Sequence, residues 1–224
     1  MSAHPHVRTF HPRRTRLGPT AAAAMTRRWA DLGLDMAMSP LDLDAVFERR
    51  PVVLEIGFGM GETTLAMAEA RPDFGILAID VHTPGVGALI RGLDESGMSN
   101  VRVACGDAVD LLQDMILPAS LSGIRIYFPD PWPKARHHKR RIIRPDLVHL
   151  MATRLRAGAA IHCATDWAEY AVVMKDVLEA EPLLRTGADT EVLQPRSSTR
   201  FERLGRDRGH AIVDLVHVRT SDAA

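Results

Sequence analysis

The sequence predicts an α/β fold, a mostly parallel seven-stranded sheet with helices on both faces. Three observations carry this reading. Short β-branched or apolar runs alternate with stretches of helical period through most of the chain. The first run leads through a glycine-rich turn directly into a helical pattern, which is the layout of a ligand-binding crossover. Later runs end on or beside an acid, at Asp80, Asp107, Asp130 and Asp166. In open parallel sheets the carboxyl ends of the strands face the ligand crevice, so these acids converge on one site.

Composition sets the bounds. The 224 residues suffice for one domain with extensions and a substantial core. Hydrophobic residues are 46% and charged residues 25%, ordinary for a soluble globular chain. No apolar run approaches the roughly 20 residues of a membrane span, so no membrane association is expected. The formal net charge of +0 conceals a segregation. Arg8, Arg13, Arg14, Arg16, Arg27 and Arg28 precede the first acid of the chain, and residues 125–144 form a second basic stretch. Two basic patches on a neutral chain suit a polyanion bound at one face. Cys105 and Cys163 both fall in expected strands, which points to free thiols in a reducing compartment, the cytoplasm.

Residues 1–16 are rich in His, Pro and Arg, without apolar periodicity or the apolar core of a secretory signal. They read as a disordered basic arm, either touching RNA or merely solvated. Helices are expected at 20–34 and 40–50. Residues 52–57 form the first strand, and Gly57, Gly59 and Gly61 lead into a helix at 63–70. A dinucleotide fingerprint needs G-x-G-x-x-G, whereas the third glycine here comes one residue early. Acid-x-Gly-x-Gly-x-Gly, led by Glu55, instead resembles the first motif of Rossmann-like S-adenosylmethionine methyltransferases. A second strand, 74–80, ends in Asp80, where a carboxylate accepts hydrogen bonds from ribose hydroxyls; an ordinary helix cap is the alternative. A helix over 81–95 and a strand over 100–105 follow. Asp107 then either faces an adenine ring or caps a helix at 108–115.

The strand at 121–128 delivers Tyr127-Phe-Pro-Asp-Pro-Trp-Pro-Lys134, followed by Ala135, Arg136, His137, His138, Lys139, Arg140 and Arg141. Proline fixes its own φ and holds the residue before it extended, so Asp130 and Trp132 sit on a stiff loop. One carboxylate and one aromatic beside cations suited to phosphate read as a catalytic loop facing nucleic acid. Trp132 either stacks on a base or braces the loop. A helix over 145–155, a strand over 159–165 ending at Asp166, and a helix to about residue 180 come next. Strands at 183–187 and 211–218 close the sheet. Between them, Thr199, Arg200, Phe201 and Glu202 lie in an Arg-rich loop. Thr-x-x-Glu matches a capping box; the functional alternative is a carboxylate reading a guanine edge with Phe201 as a stacking face.

Together the Glu55 glycine turn, Val81-His-Thr-Pro-Gly-Val-Gly87, Phe128-Pro-Asp-Pro-Trp-Pro-Lys134 and Thr199-Arg-Phe-Glu202 resemble the bacterial tRNA (guanine-N7)-methyltransferases. The resemblance covers about residue 50 to the end. It implies a Rossmann-like class I methyltransferase domain over 46–224; residues 1–45, which carry no family pattern, read as a basic N-terminal arm and short helices, partly disordered. It also implies methyl transfer from S-adenosyl-L-methionine to N7 of a tRNA guanine, usually guanine 46. Carried over by residue, Glu55, Gly57, Gly59, Asp80, Asp107 and Asp130 would line the cofactor site, with Asp130 catalytic. Lys134, Asp166, Thr199, Arg200, Phe201 and Glu202 would hold the substrate, and Arg136, His137, His138, Lys139, Arg140 and Arg141 would meet RNA. No metal is expected, and the enzyme would act on tRNA as a monomer or homodimer without an obligatory second subunit. Asp80, where the family often has Glu, and Pro133 depart from its pattern. An exocyclic-amine methyltransferase and a non-catalytic RNA-binding subunit of the same fold are the competing expectations.

Overall fold

The computed structural model describes residues 6–10, 17–187, 200–207 and 209–221. In chain order these form α1 (Pro19–Leu32), β1 (Gly33–Leu34), α2 (Leu43–Val46), β2 (Val52–Ile56), α3 (Glu62–Ala70), β3 (Gly75–Asp80), α4 (Thr83–Ser96) and β4 (Val101–Cys105). Then come α5 (Ala108–Asp110) running into a wider π-type turn (Leu111–Met115), β5 (Leu121–Tyr127), a 3-10 turn (Ala135–Arg140), α6 (Pro145–Arg154) and β6 (Leu155–Thr165). The chain finishes with α7 (Ala168–Glu179), β7 (Leu184–Thr186), α8 (Arg200–Asp207) and β8 (Val213–Arg219).

The strands form one sheet in the order β1-β4-β3-β2-β5-β6-β8-β7. Every pair from β1 to β6 is parallel, and β8 runs antiparallel to both neighbours. All seven expected strands are present. The eighth, β1, was expected to be the end of a helix. Gly33 leaves α1 in extended geometry, φ −78° and ψ 153°, while its N–H still reaches the Trp29 carbonyl. A Cβ there would stand 2.2 Å from the Trp29 ring, so only glycine lets the chain turn beneath that indole and pair with Val103.

The sheet is buried on both faces, as parallel sheets usually are. The π-type turn, α6 and α7 cover one face through Leu112, Val148 and Met174, packed on Leu54, Ile124 and Ile161. The other face carries α1, α3 and α4 through Ala24, Met67, Leu89 and Ile90, packed on Ile76, Ala78 and Val103. The helix expected at 20–34 within the N-terminal segment is α1, and it packs on the sheet domain: α1 lies on α4, and Gly87 is small because Leu17 and Ala21 occupy the space of its Cβ. Arg27 and Arg28 both pair with Asp94 of α4, so they are spent on this packing. The expected helix at 40–50 is only the single turn α2, capped by Asp42 and ended by the left-handed Glu48 and Arg49. Both cysteines are free, as expected, and no helix among the described residues is long and apolar enough to cross a membrane.

Strand order reverses at β2. From it the chain moves outward through β3 and β4, then returns to β2's other side with β5. Loops leaving β2 and β5 consequently part at this point, and the crevice between them is where such a sheet takes its ligand.

Candidate active site

The turn after β2 is built from three left-handed glycines, Gly57 at φ 80°, Gly59 at 62° and Gly61 at 83°. Side chains rarely adopt that geometry. Their surroundings separate their roles. A Cβ on Gly57 or Gly59 would meet nothing within 4 Å, so the backbone is open to a ligand at the start of α3. A Cβ on Gly61 would strike Leu89 at 2.8 Å, so the third glycine serves packing. On α4, a Cβ at Gly85 would lie 1.8 Å from the Gly59 carbonyl oxygen. The 81–87 motif is thereby explained as the seat on which the glycine turn rests.

Asp80 ends β3 and joins the two loops. Its Oδ2 accepts from the Gly59 N–H at 2.8 Å and its Oδ1 from the His82 N–H at 2.9 Å. Burial pushes its pKa up, while these two N–H groups and His82 pull it down. Each carboxylate oxygen has a second lone pair, which leaves capacity for ribose hydroxyls. Glu55 lies buried in β2, level with Arg125 of β5. Burial raises its pKa to about 7, against the opposing pull of Arg125 and Thr64 and with some help from Asp80. Its Oε2 has no hydrogen-bond partner. An orphaned buried carboxylate oxygen beside an open glycine turn fits a cationic ligand.

Asp107 does cap α5, its Oδ1 accepting from the Val109 N–H at 3.0 Å. Its Oδ2 stands 3.7 Å from Nε2 of His6, which is 2.8 Å from Asp110 Oδ1. Burial raises the pKa of Asp107 and His6 lowers it. Sequence reasoning missed His6, because a lone histidine in a segment without periodicity carries no signal.

Asp130 is exposed on the loop after β5, between two prolines. Phe128 and Trp132 hold left-handed φ angles of 52° and 45°, unfavourable for aromatic residues and maintained only by surrounding contacts. Trp132 is buried, donates its indole N–H to the Thr9 carbonyl at 3.3 Å, and is covered by Arg140 at 5.2 Å and edge-on by His137 at 5.7 Å. It braces the loop. Arg141 needs a correction: it is only 5% exposed, donates Nε–H to the Pro131 carbonyl at 2.9 Å and lies 4.6 Å over the Tyr170 ring. So placed, it holds the loop from inside and offers no surface to phosphate. Lys134, Arg136, His138 and Lys139 are exposed, while His137 and Arg140 are half-buried.

Asp166 follows β6 but does not cap α7; Thr165 Oγ1 accepts from the Trp167 N–H instead, at 3.2 Å. Asp166 Oδ2 faces His210 Nδ1 at 3.2 Å, a partner the sequence did not suggest. The described part of the segment expected as a loop around Glu202 is the helix α8. Glu202 is 2% exposed and accepts from Arg206 at 2.7 Å. Arg203 reaches Glu62 of α3 at 3.2 Å, which draws α8 towards the glycine turn. Thr199 lies outside the described residues, as do the side chains of Arg200 and Phe201.

Along the carboxyl edge of the sheet the acids thus follow strand order, Asp107, Asp80, Glu55, Asp130 and Asp166. Solved structures share the fold. A structure described as an antibiotic-related methyltransferase superposes with a TM-score of 0.58 at 18% identity, covering 82% of this chain and 98% of that one. TrmN from Thermus thermophilus gives 0.55 at 18% identity, covering 89% of this chain and 48% of that one. In sequence, the family described as "Putative methyltransferase" matches residues 49–215. The tRNA (guanine-N(7)-)-methyltransferase of Streptomyces avermitilis is 53% identical over 95% of this chain and 75% of its own length. Its counterpart in Bordetella pertussis is 46% identical over 96% of this chain and 85% of its own. At such identity over nearly all its length, this chain belongs to the tRNA (guanine-N7)-methyltransferase family.

Proposed function

We propose that this protein transfers a methyl group from S-adenosyl-L-methionine to N7 of a guanine in tRNA, guanine 46 of the variable loop being the acceptor. The observation that carries this reading is the stiff loop after β5, with Asp130 exposed at its tip, across the crevice from the open glycine turn at β2. Bound S-adenosyl-L-methionine supplies an electrophilic methyl group on a positively charged sulfur. Gly57 and Gly59 admit it to the backbone, Asp80 holds the ribose hydroxyls, Asp107 faces the adenine, and Glu55 sets a carboxylate towards its positive end. Guanine N7 carries a lone pair and no proton, so no side chain has to act as a base. Positioning and electrostatics do the work. Asp130 holds the guanine edge and faces the positive charge that arrives on the base. Asp166 approaches the guanine from the β6 side, while Glu202, buried and held by Arg206, shapes the α8 side. Lys134, Arg136, His138 and Lys139 meet tRNA phosphates.

The protein would act in the cytoplasm as a monomer or homodimer with no obligatory second subunit. Purified protein incubated with labelled S-adenosyl-L-methionine and a tRNA transcript tests the reading. The digest should contain N7-methylguanosine, and reduction followed by aniline should cut the tRNA at guanine 46. N2-methylguanosine or methylated adenosine in the digest would overturn the reaction, and scission elsewhere would overturn the position.

A further inference from the structure

A row of buried polar side chains crosses the sheet directly under the Asp130 loop. Glu55 of β2, Arg125 of β5 and His162 of β6 stand in register on adjacent parallel strands. His162 is 3% exposed and engaged at both ring nitrogens. Nε2 lies 2.8 Å from Asp214 Oδ1, and Nδ1 lies 3.1 Å from the Tyr127 hydroxyl. A carboxylate at Nε2 keeps the proton on that nitrogen, so Nδ1 accepts and Tyr127 donates. The Tyr127 ring also meets the imidazole edge-on, with centroids 5.1 Å apart.

The ends of this chain of bonds give it meaning. Tyr127 is the last residue of β5, next to the strained Phe128 and three residues before Asp130. Phe128 donates its N–H to the Ala164 carbonyl at 2.7 Å and packs against the core. Asp214 is the second residue of β8, which runs antiparallel to β6 and so begins at the carboxyl edge of the sheet, shortly after α8 and its Glu202. The Asp214 side chain is 37% exposed there, whereas His162 and Tyr127 are buried. Burying a phenol and an imidazole in a sheet is unfavourable unless their bonds are made, and apolar side chains would fill the same space at less cost. Strained backbone persists only where its surroundings over-determine it.

We propose that Asp214, His162 and Tyr127 form a positioning relay that fixes the strained root of the Asp130 loop and ties it to the α8–β8 side of the site. None of the three touches the reacting atoms. The proposal rests on the reading that Asp130 serves methyl transfer. Single-turnover rates at saturating S-adenosyl-L-methionine, tRNA KM, cofactor affinity and melting temperature test it in Tyr127→Phe, Asp214→Ala, Asp214→Asn and the Tyr127→Phe/Asp214→Ala double variant, beside Asp130→Asn. Tyr127→Phe, which removes one oxygen, should slow the single-turnover rate tenfold or more, with cofactor affinity within twofold and KM within threefold of wild type. Asp214→Asn keeps an acceptor oxygen and should recover most of the rate that Asp214→Ala loses. Members of one relay fail together, so the double variant should be little slower than the slower single one. A wild-type rate in Tyr127→Phe, or losses that multiply in the double variant, would overturn the relay. If Asp130→Asn is slow and Tyr127→Phe is not, the relay falls and the role of Asp130 stands. If Asp130→Asn keeps full rate while the relay variants are slow, the role of Asp130 falls, and with it the proposal that the relay serves that residue.

Discussion

Replacing Asp80 with Asn separates its two duties. The carboxylate accepts from Gly59 at 2.8 Å and from His82 at 2.9 Å, clamping the turn after β2 to the start of α4. Asparagine has nearly the same volume, but its amide supplies one acceptor oxygen and turns an NH2 group against the other backbone N–H. One charge-assisted bond is lost, at a cost of about 1.5–3 kcal/mol. For a domain of this size the melting temperature should fall by roughly 3–12 °C. The same loss at the ribose hydroxyls should weaken S-adenosyl-L-methionine binding by about ten- to a hundredfold. Calorimetric titration gives the second quantity and a thermal melt of the ligand-free protein the first, while tRNA affinity should be nearly unchanged. A lowered melting temperature with unchanged cofactor affinity would reduce Asp80 to a staple for the turn. If neither quantity moves, the clamp itself is refuted.

Other expectations follow from the same geometry. Because burial raises the folded-state pKa of Glu55 from 4.5 to about 7, its contribution to stability is present below pH 4.5 and is lost as pH rises through 7. The ligand-free protein should therefore lose about 2 kcal/mol from this group between about pH 5.5 and 8, a slope that Glu55→Gln should remove in denaturant titrations. Lys139→Ala should reduce the slope of log tRNA affinity against log salt by roughly 0.7–0.9. Arg141→Ala should leave that slope alone and lower the melting temperature; the reverse pattern would return Arg141 to the RNA surface. Asp130→Asn should slow single-turnover methyl transfer markedly while cofactor affinity falls less. The wild-type single-turnover rate at saturating cofactor should be flat from about pH 6 to 8.5, because N7 has no proton to lose, and a base-limited profile would contradict N7 chemistry.

The sheet was legible because most long strands are apolar runs punctuated by Gly or Pro, and the acids were legible because they end those runs or follow them closely. Local pattern failed where the decisive contact is distant or the element is short. Two residues cannot display a period, so Gly33 and Leu34 read as the end of α1 until the Trp29 ring is seen above Gly33. A basic run looks the same whether its cations face water or lie on aromatic rings, and Arg141 was misjudged because Tyr170 comes from a different helix. His6 meets Asp110 across a sequence separation of 104 residues, a contact no window along the chain contains. The segment around Glu202 offered a capping box and a guanine reader at once; the segment is helical and Glu202 pairs with Arg206, a contact one turn along the same helix that neither reading contains.

Exposed Lys134, Arg136 and Lys139, close together after β5 on a chain of formal net charge +0, give its surface a local positive pole. A strongly basic protein is pulled towards every RNA it passes and lingers on most of them. A neutral one with a charged pole experiences little net force from afar. Within the screening length of about 8 Å at physiological salt, however, it experiences a torque that swings the pole towards phosphate. Misaligned encounters then part quickly, because the flanks mix charges of both signs and give phosphate little net attraction. Sampling of many wrong RNAs stays brief, and long residence is kept for partners whose backbone curves to meet the pole and the crevice together.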